Sequence, residues 1–130
     1  DAVKRHTGGD GLDTLMRLGG RELAAIAGAI IAARMKRVPV LLDGYVCSAA
    51  ASVLEATMAG ALDHCQVGHV SSEPGPLRLL QKLDKTALIN FEMRLGEASG
   101  AALAVGLLKA AVACHSGMAT FAEAGVSDKD

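Results

Sequence analysis

Three times in succession this chain presents a short apolar run, a polar stop and then a helix-patterned segment, and that alternation leaves few folds open to it. Val38-Pro39-Val40-Leu41-Leu42 suits a strand buried on both faces, and Asp43-Gly44 ends it before a helical stretch from Cys47 to Met58. The second unit has a strand near His64–Val70, the stop Ser71-Ser72-Glu73-Pro74-Gly75 and a helix near Leu77–Leu83. The third has a strand near Ala87–Phe91, the stop Arg94-Leu95-Gly96-Glu97 and a helix from about Ser99 to His115. Strands that alternate with helices predict a parallel sheet with helices packed against it, the α/β class. No sequence repeat links the units beyond this pattern. Upstream, Leu23, Ile26, Ala27, Ile30 and Ile31 mark one face of a helix over 21–36, while Ala25, Ala29, Ala32 and Ala33 keep its other faces small. Residues 1–11 read as the tail of a helix and a loop, followed by a short helix over Leu12–Leu18 that breaks at Gly19-Gly20. A last short helix is predicted near Ala119–Glu123.

Composition removes several function classes. The 130 residues suit one domain or a piece of a larger one. Thirteen Lys and Arg against 14 Asp and Glu leave no basic surface to displace counterions from nucleic acid. Aromatic residues make up 2% and Trp is absent, which disfavours base-stacking platforms. A hydrophobic share of 51% is too high for a disordered chain. The longest uncharged apolar run, Leu23 to Ala33, has 11 residues, against about 20 for a membrane span. Cys47, Cys65 and Cys114 form no CxxC or Cys/His pattern and read as buried free thiols in a reducing compartment, the cytoplasm. The start Asp1-Ala2-Val3-Lys4, without Met or a signal-peptide core, reads as a trimmed piece of a longer polypeptide. A mean hydropathy of +0.32 agrees, because apolar surface is then left to meet further chain or a partner subunit.

In parallel α/β sheets the carboxyl ends of the strands share one edge, and ligands bind in the crevice there. The polar strand stops therefore converge: Asp43, then Ser71 with Ser72 and Glu73, then Glu97. Two roles fit Asp43, a turn or cap residue or a carboxylate accepting a sugar hydroxyl. Ser72 fits an N-cap before Pro74, which leaves Ser71 freer to face a ligand, and Glu73 fits the first helical turn. Glu97 fits either dipole stabilisation at a helix N-terminus or a general base, since its small neighbours admit a flat ligand and an apolar wall would favour its protonated form. Arg94 fits an exposed ion pair or an anion contact. His64, His69 and His115 lack metal-ligand spacing and read as structural. GxSxG, Walker A and GxGxxG motifs are absent, so hydrolase and dinucleotide-binding functions lose their usual support.

The segments GGRELAAIAGAIIAA (19–33), VPVLLDGYVCSAAA (38–51), GHVSSEPG (68–75), MRLGEASGAALAV (93–105) and HSGMATFAEAGV (115–126), in this order, resemble the C-terminal part of the nicotinate-nucleotide–dimethylbenzimidazole phosphoribosyltransferase family. RLGE-x-SGAALA is the most specific of them. The resemblance implies a Rossmann-like three-layer fragment, a parallel sheet with flanking helices, and a homodimer. It implies transfer of phosphoribose from nicotinate mononucleotide to 5,6-dimethylbenzimidazole, giving α-ribazole 5′-phosphate and nicotinate for the lower ligand of cobalamin. Glu97 matches the family's catalytic base, Leu95 a residue of the base pocket, and Asp43 and Ser71 positions that contact the nucleotide. Gly96, within the same RLGE motif, joins the substrate-binding set. No metal or redox cofactor is implied, and no nucleic-acid or membrane partner. Residues 1–130 would then be the C-terminal portion of one α/β domain whose phosphate-binding part lies upstream, and the fragment alone is expected to be inactive. Ala98 stands where the family usually has Gly, and Ser72 and Pro74 where Ala and a non-proline residue are common. The alternatives kept open are a non-catalytic dimerisation module and a nucleotide-binding α/β module.

Overall fold

A computed structural model describes residues 1–6, 8–70 and 74–127. After a first helical turn, α1 (Ala2–Arg5), the chain enters α2 (Gly11–Thr14), capped by the Asp10 side chain on the Asp13 N–H. A π-helical turn (Leu15–Gly19) follows and leads into α3 (Gly20–Met35). Gly20 has a φ of +70°, so the break expected at Gly19-Gly20 is a left-handed kink that glycine adopts without steric cost. The remaining elements are β1 (Val40–Leu42), α4 (Tyr45–Thr57), β2 (Cys65–His69), α5 (Pro74–Lys82), β3 (Ala87–Ile89) and α6 (Ser99–Gly117).

The three strands form one parallel sheet in the order β1-β2-β3, with Leu42 beside Val67 and His69 beside Ile89. Cys65 and Val67 join the core with Ala27 and Ile30 of α3 and Ala51 and Leu54 of α4. Gly68, pointing the other way along β2, backs onto Ala101 of α6. Helices therefore cover both faces of the sheet, the three-layer α/β arrangement expected. Leu42, Leu62, Val67 and Cys65 are the largest fully buried side chains. Burial pushes the Cys65 thiol up, which keeps it protonated and inert.

Several expectations need correction. Ile31 is 45% exposed, because the buried stripe of α3 is narrower than its apolar pattern and centres on Ala27 and Ile30. Of the three cysteines only Cys65 is buried; Cys47 is partly covered and Cys114 is exposed on α6. The helix expected near Ala119–Glu123 is a single turn, held by Thr120 and Glu123 capping each other and ended by Gly125 at φ +70°. Finally, α6 is long and apolar enough to cross a membrane by length and composition. Counting uncharged runs overlooked it because Lys109 interrupts the run. In this fold α6 lies along the sheet with Gly100 and Ala104 buried.

Candidate functional site

The parallel register brings the ends of β1 and β2 to one edge. Asp43 follows β1 directly and His69 closes β2. The first turn of α6 reaches this edge because Gly68 carries no side chain: a Cβ there would lie 2.9 Å from the Ala101 Cα. Asp43 Oδ1 accepts the Ala101 backbone N–H at 2.9 Å. The residue preceding α6, Ala98, offers no capping side chain, so the cap comes from 58 positions earlier in the chain. Both roles weighed for Asp43 therefore meet at one carboxylate, with Oδ1 committed to the helix.

His69 is 3% exposed, and a Cβ on Gly100 would fall 1.8 Å from its Cδ2. Its Nε2 stands 3.5 Å from Asp43 Oδ1, longer than the roughly 2.9–3.0 Å of an N–H···O bond. Among the described residues, the buried side-chain polar atoms without a hydrogen-bond partner are both ring nitrogens of His69 and Oγ of Ser99. All three belong to this strand edge and the first turn of α6.

A crevice of about 460 Å³ opens here. Glu22 and Ile26 of α3 form one wall, the 43–47 segment and His69 form the base, and the 94–98 loop forms the other wall. Asp43, Leu95, Gly96 and Glu97 thus line one crevice. Ser71, with Ser72 and Glu73, lies outside the described residues. Glu97 is exposed and Leu95 is 76% exposed, so the apolar wall expected around the Glu97 carboxylate is not closed by these residues.

The loop before α6 is unusual in its backbone. Gly96, Glu97 and Ala98 have φ values of +73°, +55° and +60°, three left-handed residues in a row. The Ser99 N–H donates to the Gly96 carbonyl at 3.0 Å and closes the turn. For a residue with a Cβ this conformation costs about 1–2 kcal/mol, and such strain concentrates at functional sites. Ala98, at φ +60°, is therefore an alanine in a conformation that glycine adopts freely. Ala98→Gly is expected to raise stability by up to about 1 kcal/mol, the relief of strain being partly offset by a freer unfolded chain. A rise in Tm checks this, and an unchanged or lower Tm would contradict it.

Sequence reasoning set His69 aside for lack of metal-ligand spacing. The available signal was a histidine closing a strand, next to Gly68. Glu22 also lines the crevice, brought there by the tertiary packing of α3, which no local sequence signal records. Among the described residues, no group of three His, Cys, Asp or Glu side chains is placed to hold a metal ion.

A parallel sheet with a crevice at its carboxyl edge, beside a helix start and bearing carboxylates from two loops, defines the α/β class of domain in which ligands bind at the strand ends. Residues 1–126 match the family model described as phosphoribosyltransferase, and the chain belongs to the nicotinate-nucleotide–dimethylbenzimidazole phosphoribosyltransferase family. The protein of that name from Rhizobium meliloti (strain 1021) is 62% identical over 129 residues, covering 99% of this chain and 38% of the relative. The one from Rhizobium leguminosarum bv. trifolii (strain WSM2304) is 64% identical over 121 residues, 93% of this chain and 36% of the relative. The crystal structure of the enzyme of that name from Thermus thermophilus superposes with a TM-score of 0.89 at 40% identity, covering 98% of this chain and 39% of that one. The chain thus spans less than two-fifths of the length of the relatives it matches.

Proposed function

We propose that this chain is the C-terminal portion of an enzyme that moves phosphoribose from nicotinate mononucleotide to 5,6-dimethylbenzimidazole, giving α-ribazole 5′-phosphate and nicotinate for cobalamin synthesis. The observation that carries the proposal is Glu97, held by a strained left-handed loop on the wall of the same crevice that Asp43 borders. Nicotinate leaves from a cationic pyridinium and needs no proton. One nitrogen of dimethylbenzimidazole attacks the ribose carbon with its lone pair, and the other loses its proton to Glu97. Attack opposite the leaving group converts the β- into an α-glycosidic bond. Asp43 and Ser71 hold the nucleotide, and Leu95 and Gly96 border the flat base. The rest of the acceleration comes from aligning the two substrates.

The phosphate contacts are assigned to upstream chain. Leu103, Leu107 and Val112 of α6 are exposed apolar residues suited to cover by that chain or by a second copy, which supports a homodimer. The free thiols fit a reducing, cytoplasmic setting.

Calorimetric titration of 5,6-dimethylbenzimidazole into this chain and into the full-length protein tests the assignment. Binding that Glu97→Ala weakens is expected at least in the full-length protein; its absence from both would overturn the assignment. The exposed face of α6 also fits a non-catalytic dimerisation module. A full-length dimer without turnover would favour that reading.

A further inference from the structure

We propose that His69 is a positioning residue for the nucleotide substrate: its Nε2–H anchors Asp43 Oδ1, and Asp43 Oδ2 is thereby fixed to accept a hydroxyl of the substrate's ribose. This rests on the function proposed above and adds to it a residue that acts on the substrate through Asp43. His69 closes β2 beside the Asp43 turn, borders the crevice and is almost wholly buried. Among the described residues neither ring nitrogen has a hydrogen-bond partner, and a buried imidazole left so is costly, because it has given up water without replacing it.

The surroundings nevertheless reserve room for a ring. Only glycine at position 100 tolerates the ring at that distance, and Gly44 leaves Nε2 uncovered, since a Cβ there would stand 3.5 Å from it. Among the described residues, the charged acceptor beside Nε2 is Asp43 Oδ1, at 3.5 Å, which also accepts the Ala101 N–H. A closure of about half an ångström makes Nε2–H···Oδ1 an ordinary charge-assisted hydrogen bond. Two donors then hold one oxygen, one from the backbone of α6 and one from β2. The carboxylate cannot rotate, and its second oxygen keeps one direction. A hydroxyl donor is the matching ligand, because a carboxylate accepts and does not donate.

The test uses the full-length protein. Gln places a donor where Nε2 sits, whereas Asn places one where Nδ1 sits, so H69Q and H69N separate the proposed contact from mere loss of the ring. For H69N and H69A the KM for nicotinate mononucleotide is expected to rise about tenfold or more, with the KM for dimethylbenzimidazole unchanged. H69Q is expected to restore most of the loss. Long-range proton–nitrogen correlation spectra of histidine-labelled protein should show the ring proton on Nε2. Equal losses for both substrates, H69Q no better than H69N, or a proton on Nδ1 would each overturn the proposal. Should the wild-type protein make no α-ribazole 5′-phosphate, the functional assignment fails instead. The ring tautomer then still decides whether His69 holds Asp43.

Discussion

Replacing Glu97 by Gln in the full-length protein is expected to lower kcat by about 10²–10⁴, the usual worth of a positioned general base. Gln keeps the size and hydrogen-bonding reach of the side chain but cannot take the benzimidazole proton. Substrate affinities should therefore change little. Glu97 is exposed and lies outside the core, so the fold should survive. The left-handed backbone at Glu97 accepts Gln about as well as Glu, and the loop keeps its shape. A Tm within a degree of wild type alongside the lost turnover would separate chemistry from folding. Turnover within threefold of wild type would remove Glu97 from the mechanism.

Gly100→Ala is expected to be the most damaging single methyl group at this site. Alanine in a helix interior is ordinarily better than glycine by about 1 kcal/mol. Here the added Cβ would fall 1.8 Å from His69 Cδ2 and 2.3 Å from Cγ, inside the ring. The imidazole is buried and cannot swing into solvent, so α6 or the end of β2 must move. Overpacking of this kind costs about 1–3 kcal/mol, which outweighs the propensity gain at the upper end of that range. Displacement of α6 also pulls the Ala101 N–H away from Asp43, so activity should fall further than stability does. The double variant with His69→Ala should recover much of the lost Tm but not the activity. Recovery of neither would show that the clash lies elsewhere.

Much of this architecture was legible because each strand is a short apolar run closed by a polar or glycine residue, which is a local signal. Asp43 and Glu97 followed from topology, since parallel strands must end on one edge. Their partners did not. That Asp43 caps α6 depends on Gly68 and Gly100 allowing a close approach of helix to sheet, which no periodicity records. Ile31 and Cys114 were misjudged for a related reason: their apolar character is clear in sequence, but which elements cover them is decided by packing. The apolar wall expected at Glu97 came from reading the small residues of 98–102 as a surface facing the carboxylate. Of these, Gly100 is buried and Ala101 backs onto Gly68, so both face the sheet, while Ala98 lies on the crevice wall and Ala102 is exposed.

The distant cap on α6 also bears on the order in which the molecule assembles. A helix usually carries its own start signal and can begin its first turn before anything else has formed. For α6 that signal resides in Asp43, 58 residues away, and is out of reach until the loop between them has closed. The cap on the first turn of α6 thus forms only once that loop has closed, a non-local contact of the kind that slows folding. The crevice cannot exist in a half-folded chain, and a population that has collapsed without pairing its sheet carries Glu97 but no place for a substrate beside it.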